Sequence, residues 1–475
     1  MPEPRTWQLV AGSAVLGLAL ATGAVAAAGP WDTGQRKAER ARAVTLATTG
    51  GAHHAGAPGG PAPRRPAPAP SAAGVLRALD AAGATGTTTR PGDDLAAALV
   101  PLLADPALGP LRTASVVDAG TGRQLYGEGA ATPMTPASTI KIATTTAALS
   151  ALGPHHRIAT TTTAGPDGRT VTLVGGGDPT LDHTRLRALA GATARALKAR
   201  GTPSVRLAYD TSLYQGPTLH PIGPNENLAP VTALMTNAGR LDDSRTGTAA
   251  RSSDPARDTA TAFADLLHQA GITVQGAPAP GKAPRGAKAA PLARTDSAPL
   301  ADLVERTLTH SDNDLAEALA RQTALAHRQP ASFTGAAKAV HDELARLGLP
   351  LAGARFADGS GLDRRDRISA ALLTGILTRA ADPTRPTLRP VLTGLPVGGF
   401  SGTLADRYDD PATAPGAGTV RAKTGTLRGV DTLAGTVVTA DGRLLAFAFL
   451  AGDTTSPFTA RPALDRLSAA LAPPR

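Results

Sequence analysis

A serine and a lysine lie three residues apart at a predicted helix start, in Thr135-Pro136-Ala137-Ser138-Thr139-Ile140-Lys141. Pro136 favours a first helical turn, and the small and apolar residues 142–149 predict a buried helix. Side chains three apart share one helix face, with Cβ atoms ~5–6 Å apart, so the Ser138 hydroxyl and the Lys141 amine can meet. The positive end of the helix dipole stabilises negative charge there and lowers the pKa of an ammonium group. A neutral lysine beside a serine is one way to activate a poor nucleophile.

Composition excludes several kinds of site. A chain of 475 residues has room for two or three domains. It has no cysteine, which excludes disulfides, thiolate metal sites and a cysteine nucleophile. The histidines show no His-Glu-x-x-His spacing, so we expect neither a metal nor a cofactor. The net charge of +10 comes without a basic stripe interleaved with aromatic residues. This pattern favours an anionic membrane or cell-wall polymer over nucleic acid as the partner.

The N-terminal part predicts export. Residues 7–28 form an apolar run that follows Arg5, and Ala26-Ala27-Ala28 resembles a cleavage site. Residues 1–28 are therefore expected to be a signal peptide or a membrane anchor, and the sequence leaves this choice open. Residues 29–91 are rich in proline, alanine and glycine and predict a disordered tether. We expect an extracytoplasmic protein, either secreted or tethered to the outer face of the cytoplasmic membrane.

Helical and strand patterns are segregated along the rest of the chain. Predicted hairpins over 113–126 and 433–450, with helical patterns between and after them, favour an α+β fold with helices on an antiparallel sheet. Residues 159–295 differ, because short strands alternate there with turns and with two helical patterns, 184–199 and 254–270. We interpret this stretch as an inserted, mainly β-containing domain that divides the main domain into 92–158 and 296–475. The glycine cluster at 175–177 lacks the spacing of a phosphate loop and predicts a tight turn.

Two further motifs follow the serine–lysine pair. Ser311-Asp312-Asn313 lies at a break before a helical pattern, and Lys423-Thr424-Gly425-Thr426 precedes the strand predicted from 433, on an edge strand of its own. Taken alone, Ser-Asp-Asn is equally well explained as a helix cap, and Lys-Thr-Gly as a common turn. Together and in this order, Ser-x-x-Lys, Ser-x-Asn and Lys-Thr-Gly indicate an acylating serine site. Lysine is scarce in this arginine-rich chain, and Lys141 and Lys423 both fall in these motifs.

With these motifs the sequence resembles the penicillin-binding serine peptidases. It is most similar to the D-alanyl-D-alanine carboxypeptidase/endopeptidase family whose catalytic domain contains a large insertion. The resemblance covers roughly residues 93–475 and includes shorter motifs at 176–179, 311–317, 358–362 and 401–404. It implies a β-lactamase/transpeptidase-like catalytic domain. It also implies peptidoglycan stem peptides as substrates and β-lactams as covalent inhibitors, and it leaves N-terminal membrane contact and oligomeric state open.

The resemblance also implies catalytic roles. Ser138 would attack the carbonyl of the terminal D-Ala-D-Ala bond while Lys141 takes its proton. Ser311 would relay a proton to the leaving amine, and Asn313 would orient Lys141.

Substrate-binding roles follow in the same way. Lys423 would supply positive potential, and the hydroxyls of Thr424 and Thr426 would hold the substrate's terminal carboxylate. Backbone N–H groups of Ser138 and Thr426 would form the oxyanion hole. Arg364 is a candidate for contacting an anionic substrate side chain, although a solvated loop arginine is an equally good interpretation.

Two alternatives share the same motifs. A β-lactamase is disfavoured because neither a Glu-x-x-Leu-Asn segment after Ser311 nor a Tyr-x-Asn motif is present. A non-catalytic β-lactam or peptidoglycan sensor would also need Ser138 and Lys141 for acylation, so fast deacylation of a peptide is the distinguishing property. The balance of carboxypeptidase and endopeptidase activity, the stem-peptide diamino acid and the role of the insertion stay open.

Overall fold

The computed structural model describes residues 91–284 and 290–473, and the predicted signal and tether segments lie outside them, apart from residue 91. All described residues belong to one compact unit. The helices are α1 (Pro91–Leu103), α2 (Ile140–Leu152), α3 (His183–Ala199), α4 (Pro255–Gln269), α5 (Leu300–His310), α6 (Asn313–Ala326), α7 (Phe333–Arg346), α8 (Ala370–Ala381), α9 (Pro390–Thr393) and α10 (Pro457–Ala469). In the described part of the chain, none of them has the length and apolar character needed to cross a membrane.

The strands form two sheets. They are β1 (Leu111–Asp118), β2 (Gln124–Glu128), β3 (Ala159–Ala164), β4 (Thr170–Val174), β5 (Ser204–Asp210), β6 (Thr273–Val274), β7 (Ala279–Pro280), β8 (Ala290–Asp296), β9 (Val420–Leu427), β10 (Val430–Val438) and β11 (Leu444–Gly452). The first sheet has the order β2-β1-β11-β10-β9, and all its pairs are antiparallel. The expected antiparallel sheet of an α+β protein is thus confirmed, and β9, which carries Lys423, lies at its edge.

Apolar cores cover both faces of this sheet. One core includes Ile142 and Leu149 of α2, and α6, α7 and α8 contribute to it. The other lies under α1 and α10 and includes Phe447 and Phe449 of β11, whose rings stack. Because both faces are covered, β10 and β11 are buried along nearly their whole length, and β11 is a continuous apolar run. Helix α2 is buried along most of its length, as its sequence predicts, and it fixes the base of the site in the core.

The second sheet is built by residues 159–296, called the inserted segment below because the first sheet takes its strands from both sides of it. Its order is β6-β5-β4-β3-β8, and β7 also pairs with β5. Strands β4 and β5 are parallel and are joined through α3, as expected of a β-α-β crossover. The helical patterns predicted at 184–199 and 254–270 correspond to α3 and α4, but the parallel pairing was not predicted.

Candidate active site

The backbone before Ser138 has an unusual conformation. Ala137–Thr139 forms a single 3₁₀ turn, and α2 itself begins at Ile140, so Ser138 lies just before the α-helix that the sequence predicts. Ala137 has φ +47°, a left-handed conformation that costs a non-glycine residue about 1–2 kcal/mol. The hydroxyls of Thr139 and Thr432 donate to the Pro136 carbonyl at 2.7 and 2.8 Å. These bonds hold the turn that presents the Ser138 hydroxyl at the helix N-terminus.

Lys141 is buried and faces three oxygen atoms. Its Nζ lies 2.8 Å from Ser138 Oγ, 2.7 Å from Asn313 Oδ1 and 2.5 Å from the Ser360 carbonyl oxygen. Burial lowers the pKa of Lys141 to about 8, although nearby carboxylates, first Asp358, act to raise it. With a pKa of about 8, roughly a tenth of this amine is neutral at pH 7, so it can serve as a base.

The Ser311–Asn313 motif lies across from this pair, at the junction of α5 and α6. Ser311 ends α5 in a left-handed conformation, with φ +57°. Asp312 caps α6 by accepting from the Leu315 N–H. Asn313 Nδ2 donates to the Asn227 carbonyl at 3.0 Å, which leaves Asn313 Oδ1 for Lys141. In the described part of the chain the Ser311 hydroxyl has no hydrogen-bond partner, and Ser311 lines the same cavity as Ser138.

The Lys-Thr-Gly motif lies on β9, directly against the Ser138 turn. A Cβ on Gly425 would lie 2.6 Å from the Pro136 carbonyl oxygen and 3.1 Å from the Ser138 nitrogen, so only glycine allows this approach. Lys423 is fully buried, and its Nζ donates to the Thr424 carbonyl at 2.7 Å. Burial, followed by the charge of Lys141, lowers the pKa of Lys423 well below its usual value. The charge of Lys141 therefore disfavours the charged form of Lys423.

A cavity of about 220 Å³ opens over these groups. Ser138, Ser311, Asn313 and Thr426 line it, so the structure brings members of all three motifs to one place. The inserted segment supplies part of the wall, through residues Asn227, Arg240, Thr246, Gly247, Thr248 and Arg251. A larger cavity of about 850 Å³ lies elsewhere, between the β1–β2 turn and α8, but neither lysine nor histidine is among its described lining residues.

The arginine predicted to contact substrate lies apart from this cavity lining. Arg364 is exposed, and its guanidinium donates to the Arg428 carbonyl at 2.9 Å. The arginines that do line the cavity are Arg240 and Arg251. Arg251 is largely buried and pairs with Asp314 at 2.8 Å, so it joins the inserted segment to α6. A contact between Arg364 and substrate stays a prediction.

Comparison with known proteins identifies the family. The model of the D-Ala-D-Ala carboxypeptidase 3 (S13) family matches residues 95–249 and 241–471. The chain belongs to this S13 family. Carboxypeptidase DacB from Mycolicibacterium smegmatis is 38% identical over 400 residues, which cover 81% of this chain and 85% of the relative. A carboxypeptidase from Mycobacterium tuberculosis is 36% identical over 446 residues, covering 89% and 91%.

Solved structures of low identity agree on the fold of this S13 protein. Penicillin binding protein 4 from Haemophilus influenzae superposes with a TM-score of 0.66 at 22% identity, covering 80% of this chain and 98% of the other. The same protein has also been solved in complex with a β-lactam. The expected fold class and the expected D-Ala-D-Ala carboxypeptidase activity are thus confirmed by family membership.

Sequence reasoning missed the residues of this S13 site that surround the Ser360 carbonyl. Glu317 is buried on α6, pairs with Arg321 at 2.9 Å and accepts from the backbone N–H groups of Gly359 and Ser360. Asp358 accepts a hydrogen bond from His220 of the inserted segment at 2.9 Å. Glu317 and Asp358 belong to quoted motifs, but only their spatial proximity to Lys141 indicates what they do.

His220, Glu317 and Asp358 are also the described residues best placed to hold a metal ion. One ligand atom from each lies within 4.8 Å of the others. Each group is already committed, however: His220 to Asp358, and Glu317 to Arg321 and two backbone N–H groups. We therefore assign them to the hydrogen-bond network of the site.

Proposed function

We propose that Ser138 is the acylated nucleophile and Lys141 its general base in a carboxypeptidase that removes the terminal D-Ala of peptidoglycan stem peptides. The observation that carries this proposal is the buried Lys141 amine, whose pKa is about 8 and whose Nζ lies 2.8 Å from Ser138 Oγ. Most surface lysines keep a pKa above 10 and cannot take a proton near neutral pH. Family membership supplies the substrate class.

In the first half-reaction, Ser138 Oγ bonds to the carbonyl carbon of the penultimate D-Ala and gives its proton to Lys141. The C–N bond then breaks, and the amine of the terminal D-Ala takes a proton from the Ser311 hydroxyl, which regains one from the Lys141 ammonium. In the second half-reaction, water attacks the ester carbonyl and gives a proton to the neutral Lys141. The ester C–O bond then breaks, and the Lys141 ammonium returns that proton to Ser138 Oγ, which regenerates the hydroxyl and the neutral amine. The unpartnered Ser311 hydroxyl in the cavity supports its role as the relay.

Lys423, Thr424 and Thr426 are the proposed site for the substrate's terminal carboxylate. Among the described residues, the Lys423 ammonium has one acceptor, the Thr424 carbonyl, so it keeps donors for an incoming anion. A bound carboxylate would raise the pKa of Lys423 and restore its charge. Thr424 Oγ1 lies 2.9 Å from Thr403 Oγ1, which orients this hydroxyl at the edge of β9.

β-Lactams are the proposed covalent inhibitors of the same serine. Support comes from the family and from the β-lactam complex of the Haemophilus influenzae protein. We further propose that the folded part acts outside the cytoplasmic membrane, because its stem-peptide substrates are there and residues 7–28 resemble an export signal. Detection of the active protein only in the cytoplasm of the native cells would contradict this.

The test combines penicillin labelling with peptide turnover. Intact-protein mass spectrometry should show one penicillin adduct on the wild type and none on Ser138→Ala. Ser150→Ala, near the other end of α2, is the matched control and should label normally. A Ser138→Ala protein that still forms the adduct would rule out the nucleophile assignment. A labelled wild type that releases no D-Ala from a D-Ala-D-Ala peptide would favour the sensor alternative.

A further inference from the structure

We propose that the turn at residues 358–361 is a positioning device that points the lone pair of Lys141 at Ser138, and that the inserted segment helps to hold it. The inference rests on the proposed roles of Ser138 and Lys141. It assigns a function to a backbone carbonyl, that of Ser360, and to the carboxylates that fix it.

The two hydrogens of a neutral Lys141 amine are both engaged by fixed acceptors. A neutral amine has two N–H bonds and one lone pair in a tetrahedral arrangement. The Ser360 carbonyl oxygen and Asn313 Oδ1 can only accept, and they lie 2.5 and 2.7 Å from Nζ. The Asn313 amide cannot be reversed without loss of its bond to the Asn227 carbonyl. Both N–H bonds are therefore used, and the lone pair faces Ser138 Oγ at 2.8 Å.

The direction of the Ser360 carbonyl is set by the N–H group that follows it. In a trans peptide the C=O and the following N–H point in opposite directions. The N–H that follows the Ser360 carbonyl is that of Gly361, and it donates to Asp358 Oδ1 at 2.6 Å. Anchoring this N–H directs the Ser360 oxygen to the other side, towards Lys141.

The preceding peptides of the same turn are also held by hydrogen bonds. Glu317 Oε1 accepts from the N–H groups of Gly359 and Ser360 at 2.9 and 3.0 Å. The Thr144 hydroxyl, one turn after Lys141 on α2, donates to the Gly359 carbonyl at 2.8 Å. The turn is thus fixed to both α6 and α2, the two helices that carry the base and its amide partner.

The inserted segment contacts this turn through His220. His220 is buried, and its Nδ1 accepts from the Ile222 N–H at 3.2 Å, so its Nε2 carries the hydrogen that Asp358 Oδ2 accepts at 2.9 Å. Burial acts to raise the pKa of Asp358, but the hydrogen bond from His220 and those from backbone N–H groups lower it to about 2. Asp358 therefore stays ionised and continues to accept the hydrogen bond from the Gly361 N–H. A chain of bonds leads from the inserted segment to the base.

The experiment compares two double variants that both remove the buried Glu317–Arg321 charge pair. Glu317→Gln with Arg321→Gln keeps an acceptor oxygen for the turn, whereas Glu317→Leu with Arg321→Leu removes it. The readout is the acylation rate at saturating penicillin on the alkaline plateau, where Lys141 is neutral and binding at Lys423 does not limit the rate. It is expressed per active site counted by mass spectrometry and is measured together with kcat and KM for a D-Ala-D-Ala peptide. The Gln variant should stay close to wild type on that plateau. The Leu variant should lose roughly ten- to a hundredfold in rate and kcat with little change in KM.

A single variant covers the case in which the Leu protein does not fold. A Cβ on Gly359 would lie 2.7 Å from both the Ala316 carbonyl oxygen and Ala320 Cβ, so Gly359→Ala lifts the turn from α6 without changing any charge. It should show the same loss of rate. Wild-type rates in the Leu variant or in Gly359→Ala overturn the positioning role while the Ser138 adduct stands. Absence of an adduct on the wild type itself would instead overturn the proposed function on which this inference rests.

Discussion

Acylation of Ser138 should depend steeply on pH because its base titrates within the accessible range. The pKa of Lys141 is about 8, lowered from 10.5 by burial. Only the neutral amine takes the Ser138 proton, so activity is present above this pKa and is lost as the pH falls through it. The neutral fraction is roughly 1% at pH 6, roughly 9% at pH 7 and roughly half at pH 8. The acylation rate should follow this fraction, rising about tenfold between pH 6 and pH 7.

The assay is the rate of labelling by a fluorescent penicillin, measured between about pH 5.5 and 9.5 at constant ionic strength. Thermal unfolding at each pH identifies any range in which loss of fold, and not titration, limits labelling. Lys141→Arg is the control, because a guanidinium stays charged throughout and should label slowly at every pH. A wild-type rate that is constant from pH 6 to pH 8 would refute the assignment of Lys141 as the base.

The KM for a D-Ala-D-Ala peptide should rise with pH well before the pH at which an ordinary lysine loses its charge, because burial and the charge of Lys141 lower the pKa of Lys423. A KM that stays constant up to about pH 10 contradicts this. Gly425→Ala should slow penicillin acylation by roughly tenfold or more, because its Cβ would force β9 away from the Ser138 turn; labelling at the wild-type rate shows that the turn tolerates the shift. Arg251→Met should lower the free energy of unfolding by about 3–5 kcal/mol, because it leaves the buried Asp314 unpaired. Urea titration measures this loss, and the double variant Arg251→Met with Asp314→Asn, which keeps an acceptor for the Ala229 N–H, should recover most of it.

Local patterns were sufficient to predict most individual elements. Helix α3 begins one residue before its predicted pattern and ends where predicted, and α4 is one residue shorter than its pattern at each end. These elements depend on periodicity and caps, such as the Asp182 side chain that accepts from the Arg185 N–H at the start of α3. The three motifs were likewise visible as short strings in the right order.

Long-range contacts were not predictable in the same way. Lys141 and Ser360 are 219 positions apart, and the contact between them uses a backbone carbonyl that has no signature in the sequence. The left-handed Ala137 was equally hidden, since alanine does not favour that conformation and tertiary contacts impose it. Nothing in the sequence singled out His220, because its partner Asp358 lies in a turn far away along the chain.

The contacts made by the inserted segment affect how far this protein could be reduced. Besides His220, the segment supplies the Ala229 N–H and Arg251 to Asp314 and the Asn227 carbonyl to Asn313. A shortened chain in which a linker replaced 159–296 would keep the antiparallel sheet and the serine. It would also remove hydrogen-bond partners from the Asp314 and Asp358 carboxylates and from the Asn313 amide. A chain that keeps all of these contacts to the candidate site therefore needs the strands of both sheets.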